Sequence, residues 1–287
     1  MAIDIDTKII GLIGYPIGHS MSPTIHNALY SRLDMNYIYM AFNISKDNLH
    51  RAVEGMHALS FIGFNVTVPY KERIIKSLDT LDKESEIIGA VNTVKIEDNK
   101  LIGYNTDGMG FMNGLARLNF SPSGKDIIVL GAGGSARAIC VYLLKENPKN
   151  IYILNRTFDR GLALADELNK TFHCNIVRPI KMNVLDNLKP DILINTTSVG
   201  MYPHINDSPL EKYDFHPNTV VVDIIYNPHE TRFLKEAREQ GCRTQNGLAM
   251  LIGQALASIE IWTGQKISYE QCQNILRDDK IFIDLSI

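Results

Sequence analysis

The sequence has little of what marks a secreted, membrane-spanning or nucleic-acid-binding protein. Its four cysteines show no C-x-x-C spacing, which argues against a disulfide framework and indicates reduced thiols in a cytoplasmic protein. No apolar run reaches the ~18 residues that a membrane-spanning helix needs. The first residues are acidic rather than basic, unlike a secretory signal peptide. A net charge of −3 gives no electrostatic reason to expect nucleic-acid binding. We therefore expect a cytoplasmic protein that binds a small molecule, as a monomer or a homodimer.

Potential metal ligands also lack a pattern. None of the eight histidines stands in an H-E-x-x-H or comparable spacing, so we expect surface or hydrogen-bonded histidines and no metal site. The sequence shows no internal repeat and no low-complexity tract. A chain of 287 residues is long enough for two domains, each with its own core.

A glycine-rich turn lies near the middle of the chain. Ile127–Leu130 is a short β-branched apolar run that predicts a buried strand, and Gly131, Gly133 and Ala136 follow at the G-x-G-x-x-G/A spacing that opens a dinucleotide-binding helix. Gly131 permits the tight turn, Gly133 lets the backbone approach a pyrophosphate, and Ala136 lets the helix pack closely on the strand. The helix N-terminus favours the phosphates. The predicted cofactor contacts in this turn are Gly131, Ala132, Gly133, Gly134, Ser135 and Ala136.

The residues after the turn complete a βαβ unit. A predicted helix over Ser135–Glu146 is followed by a breaker and a second apolar strand, Ile151–Leu154, giving the ~30 residues that such a unit needs. An ordinary strand-to-helix turn is the alternative for the glycines alone, but this context argues against it. Where an NAD enzyme carries an acidic residue for the ribose, this chain has Asn155, Arg156 and Thr157, with Arg160 just beyond. These side chains suit a 2′-phosphate, so we predict NADP, with NAD as the alternative.

Polar side chains follow several predicted strands before the glycine turn. In an open α/β sheet, ligands bind at the carboxyl ends of the strands. These residues are Ser20, Ser22, Asn65, Thr67, Lys71, Asn92 and Asp107. Two serine hydroxyls beside a helix N-terminus suit a carboxylate, although capping alone would also explain them. The hydroxyls and amides suit the alcohols of a small polyhydroxylated acid, and Lys71 and Asp107 are the charged pair.

Local rules give further expectations for these residues. Ser22 and Pro23 predict an N-cap and a first helical position for a helix that runs to about Arg32. Alternation over Phe64–Val68 predicts a strand with Phe64, Val66 and Val68 on one face and Asn65 and Thr67 on the other. Pro69 is expected to start the next helix, with Lys71 in its first turn.

Together these motifs resemble the shikimate dehydrogenase family over nearly the whole chain, from the loop at Gly14 to the predicted helix Leu248–Thr263 that contains Gln254. Before the glycine turn the matching stretches are Pro16–Pro23, Asn65–Lys71, Gly89–Thr93 and Asn105–Asp107. From the glycine turn onward they are Gly131–Ala136, Asn155–Thr157, Asn195–Met201 and Asp223–Pro228. The family's usual leucine between the two serines is Met21 here, a volume-conserving change.

The resemblance implies NADPH-dependent, reversible reduction of 3-dehydroshikimate to shikimate, in chorismate and aromatic amino-acid biosynthesis. By position, Lys71 and Asp107 would form the catalytic pair, and Ser20 and Ser22 would hold the carboxylate. The residues that would surround the ring are Asn65, Thr67, Lys71, Asn92, Asp107, Tyr226 and Gln254. Further cofactor contacts implied by the resemblance are Thr196, Ser198, Met201, Ile225 and Gly247.

The predicted architecture is two α/β domains. Residues 1–107, completed by helices over 247–287, would form the substrate-binding and catalytic domain, and 108–246 a Rossmann-type, doubly wound parallel sheet for the dinucleotide. One alternative is a quinate/shikimate dehydrogenase that uses NAD, although Thr67 favours shikimate modestly because the quinate-accepting branch often has serine there. Another is a non-catalytic ligand sensor on the same fold, against which the retention of Lys71 and Asp107 argues.

Overall fold

A computed structural model describes residues 3–18 and 20–281. The ends of the predicted substrate domain, at residues 1 and 287, and His19 of the first matching loop lie outside the described residues. The chain divides into two compact units: a first unit that takes the residues up to Gly110 and those from Ile252 onward, and a second unit over Phe111–Leu251. The domain bounds given above stay predictions.

The first unit is built on a mixed six-stranded sheet with the order β2-β1-β3-β5-β6-β4. Its strands are β1 (Lys8–Gly14), β2 (Tyr37–Asn43), β3 (Gly63–Val66), β4 (Thr80–Leu81), β5 (Thr93–Glu97) and β6 (Lys100–Tyr104). β1 pairs in parallel with β2 and β3, whereas β5 is antiparallel to both β3 and β6. Its core is apolar, with Ile13, Phe64 and Val66 buried against neighbouring aliphatic and aromatic side chains.

Helices and short 3₁₀ segments precede or follow these strands along the chain. The helices are α1 (Ser22–Arg32), α2 (Leu49–Ala58), α3 (Lys83–Ile88) and α4 (Asp107–Arg117), and near the end of the chain α9 (Leu248–Thr263) and α10 (Tyr269–Asp278). The 3₁₀ segments are Lys46–Asn48 and Arg73–Ser77. Asn27 of α1 covers the centre of the edge strand β2, since its amide donates to the Tyr39 carbonyl and accepts from the Tyr39 N–H, each at 2.9 Å. This pairing occupies backbone groups that an edge strand otherwise leaves open.

The second unit contains an all-parallel six-stranded sheet with the order β12-β11-β10-β7-β8-β9. The strands are β7 (Asp126–Leu130), β8 (Asn150–Leu154), β9 (Val177–Ile180), β10 (Ile192–Asn195), β11 (Val220–Asp223) and β12 (Arg243–Gln245). The helices are α5 (Gly134–Lys145), α6 (Phe158–Thr171), α7 (Met182–Leu185) and α8 (Arg232–Glu239). The direction of strand addition reverses between β7 and β10, the position at which dinucleotides bind in doubly wound sheets. The predicted fold class is confirmed.

Two local predictions in the first unit are wrong. The N-cap of α1 is Met21, which makes no side-chain cap, and Ser22 is the first helical residue. The reason is that the Ser22 N–H donates to Ser20 Oγ at 3.3 Å and Met21 already has helical dihedral angles.

Among residues 3–18 and 20–281, no helix combines the length and the apolar character needed to cross a bilayer.

The segment after β3 also differs from the prediction. The strand ends at Val66, Val68 is 66% exposed, and no helix begins at Pro69. Instead, a turn closes through the bond from the Tyr70 N–H to the Thr67 carbonyl at 2.9 Å, and the Lys71 carbonyl accepts from the Val91 N–H at 2.7 Å. The backbone of Lys71 is thus bound to the segment before β5, which is incompatible with a first helical turn there.

Candidate active site

Lys71 and Asp107 form a partly buried ion pair in the first unit. Lys71 Nζ donates to Asp107 Oδ2, and the two side chains are 14% and 5% exposed. Lys71 comes from the turn after β3, and Asp107 is the first residue of α4. A carboxylate at a helix N-terminus is favoured by the helix dipole. The structure therefore brings together the two charged residues that the sequence singles out.

Asn92 holds the other oxygen of the same carboxylate. Its Nδ2 donates to Asp107 Oδ1 at 2.8 Å and to Thr106 Oγ1 at 3.0 Å, and its Oδ1 accepts from the Thr106 N–H at 2.8 Å. The Asp107 carboxylate is thus oriented by an amide on one side and a cation on the other.

Asn65 lies deeper in the same network. Its Nδ2 has Asn92 O, Thr93 Oγ1 and Ser258 Oγ within 3.1 Å, and its Oδ1 accepts from the Tyr39 hydroxyl at 2.7 Å. The residue is 4% exposed. Both ends of this amide are therefore bound to protein groups, which fixes its orientation.

Four members of this network were not predicted from the sequence, namely Tyr39, Thr93, Thr106 and Ser258. Thr93 and Thr106 lie inside motifs that match the family, so their position was a usable signal. Tyr39 stands in a strand and Ser258 in a helix, both of which look like ordinary core. Ser258 Oγ lies 2.9 Å from Thr93 Oγ1 and donates to the Gln254 carbonyl at 2.9 Å.

The remaining predicted substrate residues occupy loops and α9. Ser22 is buried and Ser20 half-buried, in the segment that leads into α1. Thr67 is half-buried and its N–H donates to the Ile13 carbonyl at 2.9 Å. Gly14 allows this packing, because a Cβ there would lie 2.4 Å from Thr67 Cγ2. Gln254 is half-buried on α9, and Tyr226 belongs to the second unit, after β11.

The glycine turn of the second unit has the geometry that a dinucleotide needs. Gly131 has φ +111°, and a Cβ there would lie 2.5 Å from Thr196 Oγ1. Gly133 is the N-cap of α5, and a Cβ there would meet nothing within 4 Å. Ala136 is fully buried in α5. The turn thus packs closely on the protein at Gly131 and stays open at Gly133, where a phosphate would approach.

Two arginines follow the second strand of this unit. Arg156, Thr157 and Arg160 are exposed, and the Asn155 side chain donates to the Thr157 carbonyl at 2.8 Å. Within the described part of the chain, neither arginine forms an ion pair with a protein carboxylate. Both guanidinium groups can therefore bind an anionic ligand.

The other predicted cofactor residues lie after β10 and β11. Thr196 Oγ1 donates to the Leu130 carbonyl at 2.6 Å, which binds its loop to the end of β7. Ser198 is exposed, Met201 is 45% exposed and Ile225 is buried. A Cβ at Gly247 would lie 1.9 Å from the Ile224 carbonyl oxygen, so a glycine is required there for packing whatever its role toward a cofactor.

His26 does not match the expectation of a surface or fully hydrogen-bonded histidine. Its ring is completely buried and stacks on Tyr39 with centroids 4.1 Å apart. Nδ1 lies 3.2 Å from the Tyr30 hydroxyl, and Nε2 has no partner. Burial lowers the pKa of His26 to about 3.

Within the described residues, no group of His, Cys, Asp and Glu side chains is arranged to hold a metal ion.

Three family profiles match the chain in succession. Residues 12–94 match the shikimate dehydrogenase substrate binding domain, 114–231 match shikimate / quinate 5-dehydrogenase, and 247–277 match the shikimate 5′-dehydrogenase C-terminal domain.

Individual proteins agree with these profiles. A shikimate dehydrogenase (NADP(+)) of Methanococcus aeolicus is 46% identical over 278 residues, which cover 96% of this chain and 99% of that protein. A crystal structure of a shikimate dehydrogenase in complex with NADP⁺ superposes with a TM-score of 0.88 at 41% identity, covering 97% of both chains. The shikimate 5-dehydrogenase of Listeria monocytogenes, in complex with shikimate and NAD, gives a TM-score of 0.87 at 36% identity over 96% of this chain and 98% of the other.

Proposed function

The chain belongs to the shikimate dehydrogenase (NADP⁺) family, and we propose which of its residues carry out that family's reaction here. The protein is an NADP-dependent oxidoreductase that acts on a CH–OH group in the shikimate pathway, so the function, cofactor and pathway predicted from the sequence are confirmed. The observation that carries the proposal is the Lys71–Asp107 ion pair, held from its other side by Asn92.

The first unit supplies groups suited to shikimate. We assign the carboxylate of shikimate to the hydroxyls of Ser20 and Ser22. Hydroxyl groups can donate hydrogen bonds to a carboxylate, and the positive end of the α1 helix dipole favours an anion at this position. Thr67 and Gln254 are half-buried and offer polar groups for the ring alcohols. Asn65 and Asn92 have their amides engaged within the protein, so part of their role is to orient their neighbours. The family resemblance also assigns Tyr226, which follows β11, to the substrate.

Lys71 is the proton donor and acceptor in this proposal. In the reduction, the Lys71 ammonium donates a proton to the ketone oxygen as that oxygen gains negative charge. In the oxidation, the neutral amine accepts the proton of the alcohol. Asp107 keeps Nζ in position through Oδ2, while Asn92 prevents the carboxylate from rotating. A positioned acid/base of this kind contributes roughly two to four orders of magnitude in rate.

The residues of the second unit fit NADP. When bound, the cofactor supplies or accepts the hydride at its nicotinamide ring. Gly133 leaves open space before α5, where the helix N-terminus favours the pyrophosphate. Arg156, Thr157 and Arg160 are exposed after β8 and offer two cations and a hydroxyl to the 2′-phosphate.

The test is a steady-state assay that follows reduced-cofactor absorbance, with shikimate or quinate and with NADP⁺ or NAD⁺. We expect the highest kcat/KM for shikimate with NADP⁺. In Lys71→Ala we expect kcat to fall by roughly a hundredfold or more. Comparable kcat/KM for quinate with NAD⁺ would instead support the quinate/shikimate type. Full activity in Lys71→Ala would refute the residue assignment while leaving the family unaffected. A cytoplasmic location and a monomeric or dimeric state stay predictions of the sequence.

A further inference from the structure

Asp223 is a buried carboxylate that the proposed reaction does not use. It is the last residue of β11 and has no solvent exposure. Its oxygens accept three hydrogen bonds: Oδ1 from Asn195 Nδ2 and from the Ile225 N–H, both at 3.0 Å, and Oδ2 from Thr231 Oγ1 at 2.8 Å. Among the described residues, no lysine, arginine or histidine forms an ion pair with it. Burial raises the pKa of Asp223 to about 6.

A buried carboxylate without a cation is unfavourable unless its hydrogen bonds compensate. An apolar residue or an asparagine would fill the same position without a charge to desolvate. What distinguishes Asp223 is the set of donors that it joins, because they belong to three different segments of the second unit.

The first segment is the loop after β10. Asn195, bound to Asp223 through Nδ2, accepts with Oδ1 from the Thr197 N–H at 3.0 Å and from Thr197 Oγ1 at 2.7 Å. Thr197 Oγ1 accepts in turn from the Val199 N–H at 3.2 Å. This chain of bonds determines the conformation of the loop that contains Thr196, Ser198 and Met201, all assigned above to the cofactor.

The second and third segments follow β11. The Ile225 N–H bond to Asp223 sets the direction of the chain as it leaves the strand toward Tyr226. Thr231, the N-cap of α8, donates to Asp223 while its Oγ1 accepts from the Leu234 N–H at 3.3 Å. Asp223 therefore binds the start of α8 and both loops that leave the carboxyl ends of β10 and β11.

We propose that Asp223 is a positioning residue for the nicotinamide half of NADP, acting through the two loops rather than by touching the cofactor. This inference rests on the proposed function, because it takes the loop residues Thr196, Ser198, Met201 and Ile225 as contacts of that half. The adenosine 2′-phosphate half belongs to Arg156 and Arg160, which follow β8. Loss of Asp223 weakens the first set of contacts and leaves the second intact.

Isothermal titration with two ligands separates the halves. NADP⁺ uses both, whereas 2′,5′-ADP uses the adenosine half alone. In Asp223→Ala we expect the Kd of NADP⁺ to rise about tenfold, a loss of ~1.4 kcal/mol of binding free energy, because the two loops no longer hold their cofactor-binding conformation. The Kd of 2′,5′-ADP should stay within about twofold of wild type, because its contacts are unchanged. Asp223→Asn, which keeps the shape and the Oδ1 acceptor, should bind NADP⁺ more tightly than Asp223→Ala.

Thr231 supplies a matched pair that keeps the test decisive if Asp223→Ala does not fold. Thr231→Val removes the donor to Asp223 Oδ2, and Thr231→Ser retains it. We expect weaker NADP⁺ binding in the valine variant alone, with 2′,5′-ADP unchanged in both. The inference would be overturned if the Kd of NADP⁺ and the Kd of 2′,5′-ADP rose equally in these variants. It would also be overturned if the Kd of NADP⁺ were unchanged in Asp223→Ala. A wild-type protein that does not oxidise shikimate with NADP⁺ would instead refute the proposed function.

Discussion

Asp107 uses its two carboxylate oxygens for two different partners: Oδ2 accepts from Lys71 Nζ, and Oδ1 accepts from Asn92 Nδ2 at 2.8 Å. The amide therefore fixes the carboxylate, and the carboxylate fixes the amine. Because both of these contacts exist within the protein, the Lys71 amine is already oriented before the substrate binds. This reduces the entropy lost on reaching the transition state.

This arrangement predicts strong coupling between Lys71 and Asp107. We expect Lys71→Ala and Asp107→Ala each to lower kcat by roughly two to four orders of magnitude, and the double variant to be about as slow as the slower single one. The reason is that either change alone removes the positioned amine. The exposed pair Lys149–Asp126 is the control, since variants of that pair should leave kcat unchanged. Additive losses in the Lys71–Asp107 cycle would mean that the two residues act independently.

The assignment of the carboxylate to Ser20 and Ser22 predicts discrimination by ligand charge. In a variant with both serines changed to alanine, shikimate should bind at least tenfold more weakly, the approximate effect of losing one charge-assisted hydrogen bond. A neutral amide analogue of shikimate should bind nearly as it does to wild type. The control is Ser45→Ala, an exposed serine of the same unit. If both ligands weaken equally and the Tm falls, the serines serve the fold and not the carboxylate.

Cofactor preference is assigned to the exposed cations after β8. Arg160→Ala should reduce the preference for NADP⁺ over NAD⁺ by about 10- to 150-fold, the range for one charge-assisted hydrogen bond. The kinetics with NAD⁺ should be unaffected, because NAD⁺ has no 2′-phosphate. Lys170→Ala, which removes one charge near the other end of α6, is the control. The wild-type preference should also fall as salt rises. Salt-independent discrimination would exclude an ionic contact.

His26 predicts a pH dependence of stability in the first unit. Its pKa is lowered to about 3 in the folded protein by burial, so the histidine stays neutral when folded and takes up a proton on unfolding below its ordinary pKa. The free energy of unfolding is therefore unaffected by His26 above about pH 6.5. Below that pH it decreases, and at pH 5 it is lower by about 2 kcal/mol because of this residue. The single tryptophan, Trp262, has its ring 5.8 Å from that of His26 and reports the unfolding by fluorescence in urea.

His26→Gln should flatten this dependence between pH 7 and pH 5, because glutamine does not titrate. The matched control is His50→Gln, whose side chain is 70% exposed in wild type. An unchanged slope in His26→Gln would show that other groups cause the acid destabilisation.

Local sequence patterns predicted well the parts that depend on few neighbours. The glycine turn between β7 and α5 has the expected form. Its glycine spacing follows from steric limits on the backbone, which depend mainly on neighbouring residues in the sequence. The bounds of α9, Leu248–Thr263, also agree with the prediction. By contrast, β9 gives little signal because it is an edge strand that contains Pro179, and proline lowers the expectation of a strand.

The failures occur where distant segments determine the local structure. No sequence rule near Pro69 shows that the Lys71 carbonyl will bind the Val91 N–H, and that bond replaces the predicted helix by a turn. Tyr39 and Ser258 likewise look like core residues until the sheet and α9 bring them to Asn65. Hydrogen-bond networks of this kind depend on tertiary proximity, so the sequence indicates their chemistry but not all of their members.

The most direct test of the central claim compares rate and affinity in Lys71→Ala. If Lys71 moves the proton, kcat should fall by roughly two to four orders of magnitude, while the Kd of shikimate, measured by isothermal titration in the presence of NADP⁺, should change far less. Lys76→Ala, which removes an exposed lysine from the following 3₁₀ segment, should leave both values unchanged. A large rise in the Kd with a nearly unchanged kcat would show that Lys71 binds the substrate and that another group carries the proton.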